Sequence, residues 1–352
     1  MSVTVSVIIP AYNRADMLRL VVDSVLAQSM PPLEVIIIND GSSDHTAELV
    51  EREIEQQPAW RARVRYFYQE NKGISGALNA GIEKARGEWI GFTAQDDLWL
   101  PWKLEWQLRA IEKYSDCGLC FTDAWFMNNP FMKMSLFEFA QKNFPGPMGK
   151  IGNPVGLVVG QHPVWTQTCI ARADLIREIG GYDPLLRYSE DHDFLFRIGL
   201  RSKFCYVGMP MVMIDRSPGD VRHVGEARNW HKEEFRLRMD QYRFEKQLQL
   251  GKDQDKATRA MICGNLRSIH SSWANWYIEQ DQYKKARTSI RTALKYGFRI
   301  ELAAKLILLR MFPRQLKSFL VRDRSSAVRH DRISWQVEAI ANDNSKQSTV
   351  GA

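Results

Sequence analysis

A chain of 352 residues with 45% apolar and 25% charged residues has the composition of a globular protein, and its length suits one large domain plus a smaller one. It has no run of 18 or more apolar residues, which excludes a transmembrane helix, and no apolar segment follows a basic start, so we expect no signal peptide. The charge is uneven, because residues 1–221 carry 22 Lys and Arg against 27 Asp and Glu, whereas residues 222–333 carry 25 against 12. Five cysteines without paired spacing indicate a reducing compartment.

Short, mostly apolar segments alternate with helical patterns in the first third of the chain. Each segment is rich in β-branched or aromatic residues and is followed by polar residues, as is typical of a buried parallel strand. The alternation predicts a doubly wound, mostly parallel α/β sheet flanked by helices. The predicted strands are Val3–Ile9, Leu33–Ile38, Val64–Tyr68 and Trp89–Phe92, and the predicted helices begin near Ala15 and cover Thr46–Gln57, Ala77–Ala85 and Leu98–Lys113.

Polar residues follow all four predicted strands, at the edge where open α/β sheets bind ligands. Two adjacent carboxylates, Asp96 and Asp97, follow the fourth strand, where carboxylates can hold Mg²⁺ or Mn²⁺ and, through the metal, a diphosphate. The same pair can also be N-terminal charge before a helix, favoured by the helix dipole. Neither GxGxxG nor a Walker A motif is present, which disfavours a classical dinucleotide fold. The polar residues after the first three strands are Tyr12, Asn13, Arg14, Asp40, Asp44, Asn71 and Lys72.

The next stretch contains further strands and an acidic motif. CGLCF predicts a strand, in which Cys117 and Cys120 are buried free thiols rather than a metal pair. Thr166–Arg172 predicts another strand and Ala173–Ile179 a short helix. The residues SEDHD then begin a helix that continues over Phe194–Arg201.

The acidic motif Ser189–Asp193 has two interpretations. Ser189 can cap the helix, with Glu190 and Asp191 as favourable charges in its first turn. Alternatively, one of these carboxylates is a general base that takes a proton from an acceptor hydroxyl. His192 is interpreted as a partly exposed helix residue rather than a metal ligand.

The motifs carry a family resemblance. The stretches are VSVIIPAYNRADMLRLVVDSVLAQSMPPLEVIIINDGSSDHTAE and NKGISGALNAGIEKARGEWIGFTAQDDLWLPWKL. Over about residues 3–215 the chain resembles a family 2 glycosyltransferase of the GT-A fold. The resemblance implies a nucleotide-sugar donor and a divalent metal, Mg or Mn, on its diphosphate. It also implies transfer, with inversion at the anomeric carbon, to a saccharide or lipid-linked acceptor.

The resemblance also implies roles for individual residues. It places Asp96 and Asp97 at the metal, and it makes Asp191 the general base and Glu190 the residue that orients the acceptor. Pro10, Tyr12 and Asp40 match positions that hold the base and ribose. The predicted donor-binding residues are Pro10, Tyr12, Asn13, Arg14, Asp40, Lys72, Gly73, Gln95 and Asp96.

Two positions depart from the family pattern. Ala94 replaces the first carboxylate of the usual D-x-D. The chain is then either an active enzyme in which Gln95 compensates for the missing carboxylate, or a degenerate, non-catalytic scaffold. Such a scaffold would bind a nucleotide sugar and act through its basic C-terminal helices. Ser217 stands where many relatives carry a histidine before Pro-Gly, and His223 is a further candidate for the diphosphate or metal.

An aromatic segment, Trp125–Gln167, lies between the two motifs. In the family this region frames the acceptor site, and an apolar segment there fits a lipid-linked or aromatic-stacked sugar acceptor. Ordinary packing of loops against the sheet is an equal alternative.

The resemblance ends near Val221, and a basic helical region follows. We expect a GT-A domain over 1–221, with a donor half 1–115 and an acceptor half 116–221, a helical extension over 222–330 and a disordered tail over 331–352. Helical patterns cover Asn229–Leu250, Ala257–Glu279, Gln282–Tyr296 and Ile300–Arg322. Ala257–Glu279 and Gln282–Tyr296 resemble a single tetratricopeptide-type helix pair, and Pro313 interrupts the fourth pattern.

The basic amphipathic stretch 300–322 has two interpretations. It can contact an anionic membrane surface, or it can be the solvated basic face of a packed helix. No recognised nucleic-acid fold is present, so we expect no nucleic-acid partner. The expected location is the cytoplasm, with peripheral contact at the inner face of the plasma membrane.

Overall fold

The computed structural model describes residues 3–127, 134–160, 163–215 and 233–320. The chain divides into two compact units, one made of Met1–His231 and Lys246–Met261 and the other of Lys232–Glu245 and Ile262–Ala352. We call them the sheet unit and the helical unit. The predicted boundary at residue 221 and the predicted tail over 331–352 lie outside the described residues, so the predicted domain limits stay a prediction.

The described part of the sheet unit contains nine strands that form one sheet. Nine helices, α1 to α9, accompany them, and a short 3-10 turn over Thr166–Thr168 precedes the eighth strand. The strands are β1 (Val5–Ala11), β2 (Glu34–Asp40), β3 (Val64–Gln69), β4 (Trp89–Phe92), β5 (Leu98–Trp99), β6 (Cys117–Met127), β7 (Met148–Ile151), β8 (Cys169–Arg172) and β9 (Lys203–Asp215). The helices are α1 (Ala15–Leu26), α2 (Thr46–Gln56), α3 (Pro58–Arg63), α4 (Gly73–Lys84), α5 (Lys103–Lys113), α6 (Leu136–Phe139), α7 (Pro154–Val159), α8 (Ala173–Glu178) and α9 (Glu190–Gly199).

The sheet has a parallel half and a mixed half. Its strand order is β3-β2-β1-β4-β8-β6-β9-β5, and β7 pairs with β9. The four strands β3, β2, β1 and β4 are parallel, so their carboxyl ends lie at one edge. β8 runs antiparallel to β4 and β6, whereas β6 and β9 are parallel to each other. The predicted α/β class, a mostly parallel sheet flanked by helices, is confirmed, and the sheet is mixed because β5, β7 and β8 in its second half are antiparallel to their neighbours.

Strands β1, β2 and β4 are buried on both faces, which explains their continuous apolar runs, whereas the edge strand β3 is only partly buried. Val7 and Ile9 on β1 pack in one core with Val35 and Ile37 on β2. Helix α4 approaches the sheet closely at Gly81, where an added Cβ would lie 2.4 Å from Ile8 Cγ2. This close approach requires glycine and fixes α4 on the sheet.

Most predicted elements are confirmed, and three are corrected. The predicted helix Leu98–Lys113 is wrong at its start, because Leu98–Trp99 form β5 against β9 and the helix begins at Lys103. The two aspartates at 96 and 97 therefore do not cap a helix. The predicted helix Ala77–Ala85 begins earlier, at Gly73, and the predicted strand Thr166–Arg172 begins later, at Cys169.

The basic C-terminal region is helical, as predicted. Its named helices are α10 (Glu233–Leu250), α11 (Lys256–Glu279), α12 (Tyr283–Lys295) and α13 (Ile300–Met311), and residues 313–320 are helical as well. Small residues pack between the last three helices, in a core that includes Ala274, Ile278, Ala286, Ile290, Ala293, Leu302 and Leu309. Among the described residues, no helix has the length and apolar character needed to cross a bilayer.

Candidate functional site

The loops after β1 and β4 are joined by side chains at the predicted donor edge. Gln95 Oε1 accepts the backbone N–H of Tyr12 at 2.7 Å, and Gln95 Nε2 donates to the Tyr12 carbonyl at 3.1 Å. Next to this pair, the buried guanidinium of Arg14 lies 3.3 Å from Asp96 Oδ2. Tyr12 directly follows the end of β1, which also contains the predicted donor residue Pro10. Five predicted donor-site residues therefore lie together.

Asn13 connects the loop after β1 to the loop after β2. Its backbone is left-handed, with φ 53°, a conformation that asparagine adopts more readily than most residues. Asn13 Oδ1 accepts the backbone N–H of Ser43 at 2.8 Å, and Ser42 Oγ accepts the N–H of Asn13 at 3.1 Å. These bonds show that Asn13 has a structural role in joining the two loops, separate from any contact with a donor.

Asp44 supports both neighbouring helices. It accepts the backbone N–H of Ala15 in α1 and of Thr46 in α2, each at 3.1 Å. Burial opposes its ionisation, but the hydrogen bonds from Thr46 and Ala15 outweigh burial and hold the pKa of Asp44 below its usual value.

Asp40, at the end of β2, is buried and connects to the loop after β3. Its Oδ1 accepts the backbone N–H of Lys72 at 2.9 Å and Nε2 of Gln69 at 2.6 Å. Lys72 itself is exposed, and Gly73 follows it with φ +74°, so the chain turns there into α4. Donor-site predictions from three strand ends, after β1, β2 and β3, thus fall at one edge of the sheet.

Asp97 differs from Asp96 in its surroundings. It is 2% exposed, and its Oδ1 accepts the backbone N–H of Asp215, the last residue of β9, at 3.1 Å. One oxygen of this carboxylate is therefore engaged in holding the end of β9. The role of Asp97 as a metal ligand stays a prediction.

Three aromatic rings join β4 to the start of α9. Phe92, the last residue of β4, packs edge-to-face against Tyr182 at 5.7 Å and against Phe194 at 5.6 Å. Tyr182 and Phe194 stack at 4.1 Å. Asn79 on α4 fixes Tyr182 further, because its side chain hydrogen-bonds both the N–H and the carbonyl of Tyr182. The acidic helix start is thus attached to the strand that precedes Asp96.

Glu190 and Asp191 form the first turn of α9 and are both half-buried. Burial, reinforced by the negative charge of Asp191, raises the pKa of Glu190 to about 8. Ser189, at the N-cap position, has a left-handed backbone with φ 59° and makes no side-chain cap bond to the helix. Two adjacent acids of which one is neutral near pH 7 can supply both a hydrogen-bond donor and a proton acceptor.

Asp193, in the same motif, has a structural role. It is fully buried and pairs with Arg197 at 2.7 Å and with Lys246 at 3.0 Å. Lys246 also pairs with Asp183. This network anchors the first turn of α9, and the sequence pattern did not separate Asp193 from the two acids before it.

The described part of the aromatic segment is mostly packed. Phe121, Phe137 and Phe144 form a cluster with centroid distances of 4.5 to 5.9 Å, and Phe126 packs against Trp165 at 5.6 Å. These contacts agree with packing of loops against the sheet. The acceptor interpretation stays a prediction.

The residues that could hold a divalent metal are few. Among the described residues, no group of three or more His, Cys, Asp or Glu side chains is arranged to hold a metal ion. His223, a predicted metal candidate, lies outside the described residues. Asp40, Asp44 and Asp97 at this edge each accept backbone N–H groups, whereas the carboxylate of Asp96 pairs with Arg14. A single carboxylate such as Asp96 fits a Mg²⁺ or Mn²⁺ ion held mainly by substrate phosphates and water.

Comparison with known proteins agrees with this arrangement. The model of the family described as glycosyl transferase family 2 matches residues 6–164. These residues form a family 2 glycosyltransferase domain. An uncharacterised glycosyltransferase of Rickettsia typhi is 30% identical over 200 residues, which cover 55% of this chain and 58% of that protein. The glycosyltransferase YibD of Escherichia coli, also uncharacterised, is 40% identical over 119 residues, 34% of this chain and 33% of its own length. The chain thus aligns with little more than half of the first relative and a third of the second.

Solved structures share the fold of the family 2 domain and extend beyond it. Residues 1–349 of TarS from S. aureus, in complex with UDP-GlcNAc, match with a TM-score of 0.64 at 16% identity, over 92% of each chain. The mannosyltransferase PcManGT from Pyrobaculum calidifontis, in complex with GDP-Man and Mn²⁺, matches with a TM-score of 0.52 at 17% identity, over 93% of this chain and 87% of that one. At these identities the likeness concerns the fold.

Proposed function

We propose that this chain is an inverting glycosyltransferase that moves a sugar from a nucleotide-diphosphate sugar to a hydroxyl of a saccharide or lipid-linked acceptor. The observation that carries the proposal is the attachment of the acidic turn Glu190–Asp191 to the strand before Asp96, through Phe92, Tyr182 and Phe194. A donor edge and a carboxylate pair on neighbouring elements are what a displacement at a sugar carbon requires.

The donor side rests on the loops after the parallel strands. Asp40 and Tyr12 are proposed to contact the base and ribose, and Asp96, paired with Arg14, to face the diphosphate. Fold neighbours that bind UDP-GlcNAc or GDP-Man support a nucleotide-sugar donor. When bound, a divalent metal held by Asp96 would neutralise charge on the diphosphate.

The acceptor side rests on the carboxylate pair. Asp191 takes the proton of the acceptor hydroxyl as its oxygen forms the new bond to the anomeric carbon. The bond from that carbon to the phosphate oxygen breaks on the opposite face, the configuration inverts, and the nucleoside diphosphate leaves with the electron pair. Glu190, protonated near neutral pH, donates a hydrogen bond that orients the acceptor.

A second candidate is a non-catalytic scaffold that binds a nucleotide sugar and acts through its basic C-terminal helices. Ala94 favours it, since alanine has no group to replace the usual carboxylate. The Gln95–Tyr12 pair favours the enzyme instead, because it keeps the two donor-side loops joined where the carboxylate is missing.

Binding and turnover separate the two candidates. We would measure donor affinity and release of nucleoside diphosphate for a panel of UDP-, GDP- and dTDP-sugars, with and without Mn²⁺. The variants are Asp96→Asn, Asp191→Asn and, as a matched control, Asp116→Asn, whose carboxylate pairs with Lys150 and Lys203 at the surface. We expect Asp96→Asn to lose metal-dependent binding. Asp191→Asn should bind normally but lose turnover by about 10²–10⁴-fold, the usual contribution of a general base.

Other outcomes would reject parts of the proposal. Donor binding without turnover in the wild-type protein, across acceptors, would favour the scaffold. Unchanged turnover in Asp191→Asn would remove this residue from the role of base. The surface control should behave as the wild type in every assay.

We also propose that the end of the helical unit contacts an anionic membrane. Ile300 and Phe319 are 71% and 66% exposed, and Ile307 is exposed on the same segment as Arg310 and Arg314. Exposed apolar side chains beside basic ones suit the surface of an anionic bilayer. The protein should sediment together with vesicles of phosphatidylglycerol, and Ile307→Glu should lower the fraction of protein that sediments with them. Equal binding to vesicles of phosphatidylcholine alone would contradict the electrostatic part.

A further inference from the structure

The helical unit contains a cavity of about 540 Å³ that the donor site does not use. This volume lies within the range of about 300–1,000 Å³ that is typical of small-molecule sites. One face of each of three helices lines it. Helix α10 contributes Arg238, Gln241 and Glu245, α11 contributes His270, Trp273 and Tyr277, and α12 contributes Thr288 and Thr292.

The spacing of these residues explains how the sequence builds the cavity. On α11 the lining residues are three and four positions apart, and on α10 they fall in two adjacent pairs and a single residue over two turns, so each helix turns one continuous face towards the cavity. Residues on such faces would normally be aliphatic if the helices closed on one another. Here the faces carry aromatic and hydrogen-bonding side chains instead, as ligand sites do.

Aromatic side chains line one wall of the cavity. Trp273 stacks against Tyr277 with centroids 5.4 Å apart and an interplanar angle of 22°. His270 stacks against Tyr296 at 5.7 Å and 5°. The stacking holds these rings in fixed orientations, so the wall is formed before any ligand arrives.

Two buried polar atoms in the same wall lack a hydrogen-bond partner among the described residues. They are Trp273 Nε1 and His270 Nε2, and their side chains are only 5% and 8% exposed. Buried polar atoms are nearly always paired, so an unpaired donor in a cavity wall points to a ligand that completes it. Burial lowers the pKa of His270, so its ring is neutral near pH 7 and a hydroxyl group can satisfy either of its nitrogens.

The remaining polar groups point to a ligand rich in hydroxyls and poor in charge. Arg238 pairs with Glu234 at 2.6 Å, and Gln241 donates to Glu245 at 2.8 Å. The hydroxyls of Thr288 and Thr292 donate to carbonyls of their own helix and keep lone pairs for other donors. One arginine and one glutamate balance each other in the lining, which does not suit a phosphate or a nucleotide.

We propose that this cavity is a saccharide-binding site, formed by residues other than those of the donor site. A pyranose ring has an apolar C–H face that matches the Trp273–Tyr277 wall, and its hydroxyl edge can both donate to and accept from the polar groups around it. The proposal does not depend on the transfer reaction proposed above, since the cavity would bind a sugar whether or not the sheet unit is active.

The indole N–H of Trp273 provides a direct test on the full chain. In a ¹⁵N-tryptophan spectrum its signal is assigned by its loss in Trp273→Phe, and Trp276→Phe, a neighbouring indole that does not line the cavity, is the matched control. The probes are glucose, galactose, mannose, rhamnose and N-acetylglucosamine and their oligomers, with UDP and inorganic phosphate for comparison. No donor nucleotide sugar is added.

We expect at least one saccharide to move the Trp273 signal in a saturable manner. By isothermal titration calorimetry, which does not need the Trp273 indole, Trp273→Phe and His270→Phe should each weaken its binding about tenfold while the protein stays folded at the assay temperature, whereas Trp276→Phe and Asp191→Asn should bind as the wild type does.

Three results would overturn the proposal. They are the absence of any saccharide response, a Trp273 response to UDP or phosphate alone, and saccharide binding that Asp96→Asn abolishes while Trp273→Phe leaves it intact. The last would place the sugar at the donor site. The two proposals are tested separately. Transfer by the wild type and by Asp191→Asn tests the proposed reaction, whereas saccharide binding by the same proteins tests the cavity.

Discussion

Gln95 and the backbone of Tyr12 are joined by two hydrogen bonds that run in opposite directions, at 2.7 and 3.1 Å. A single side chain thus pairs with both polar groups of one peptide residue, as a neighbouring strand would. The pair connects the loop after β1 to the loop after β4, one residue from Ala94. Because Ala94 cannot make such a connection, Gln95 joins the two loops here, next to the ion pair of Arg14 and Asp96.

Gln95→Ala should therefore weaken donor binding. Both bonds to Tyr12 are lost, and two part-buried backbone groups need new partners, so we expect the dissociation constant for the donor to rise about tenfold. Isothermal titration calorimetry measures this, and Gln56→Ala, at an exposed position near the end of α2, is the control. Donor affinity equal to that of the wild type would show that the pair is not needed for the donor edge.

Asp96 and Asp97 should respond differently to the same substitution. Asp97→Asn keeps an oxygen that can accept the N–H of Asp215, so we expect metal-dependent donor binding to fall less than about threefold. Asp96→Asn removes the charge beside Arg14 and should abolish the metal dependence. Titration with Mn²⁺ at fixed donor concentration distinguishes them. If Asp97→Asn also lost metal dependence, its carboxylate would have to be a ligand.

Local patterns in the sequence were sufficient for elements with clear periodicity. The strand Trp89–Phe92 was predicted with its observed bounds, because four apolar residues stand between Gly87 and a polar stretch. The two-residue strand Leu98–Trp99 was missed, since it exists only through pairing with Val212 and Met213 on β9. A local window cannot show a partner so distant along the chain.

The same limit applies within the site. The positions of the donor-edge residues followed from their place after parallel strands, whereas the connections between them did not. Asp193 has the same residue type and the same motif as Asp191, yet it is buried and paired with Arg197 and Lys246. Only the fold reveals that Asp193 serves the helix through buried ion pairs, whereas Glu190 and Asp191 lie half-buried in its first turn.

Glu190→Gln should change the pH dependence of stability. Burial and Asp191 raise the pKa of Glu190 from 4.5 to about 8, so between these values the folded state holds a proton that the unfolded state has lost. Stability from this group therefore falls as the pH rises from 4.5 to 8 and stays low above 8. Glutamine is always neutral, so the melting temperature of the variant should exceed that of the wild type above pH 8, by several degrees, and match it near pH 4.5.

The activity of the same variant tests the proposed roles of the two acids. If Glu190 orients the acceptor by donating a hydrogen bond, Glu190→Gln should keep turnover within about tenfold at pH 7 and lose less of it above pH 8 than the wild type does. Complete loss of turnover would instead make Glu190 the base. Glu112→Gln, at an exposed position on α5, is the control for both measurements.

Lys103→Met should remove a contribution to the free energy of unfolding that increases between about pH 7 and pH 10.5 in the wild type. Lys103 is 0% exposed, with its Nζ 2.9 Å from Gln107 Oε1 and 3.7 Å from the centroid of the Trp99 ring. Burial lowers its pKa from 10.5 to about 7, so between these values the unfolded state binds the extra proton. The wild type should then gain up to about 1.4 kcal/mol of stability per pH unit from this group, which methionine cannot provide.

The difference in the free energy of unfolding between Lys103→Met and the wild type should depend on the pH. At pH 7 methionine removes the cost of burying an amine but leaves Gln107 Oε1 without its donor, so the two effects oppose each other. As the pH rises towards 10.5, the cost of burying the amine disappears while the hydrogen bond to Gln107 Oε1 is still missing in the variant. The stability of the variant relative to the wild type should therefore fall steadily. Urea unfolding at several pH values measures this. Lys113→Met, exposed at the end of the same helix, should show no such trend, and a constant difference for Lys103→Met would mean that this amine does not titrate in the folded protein.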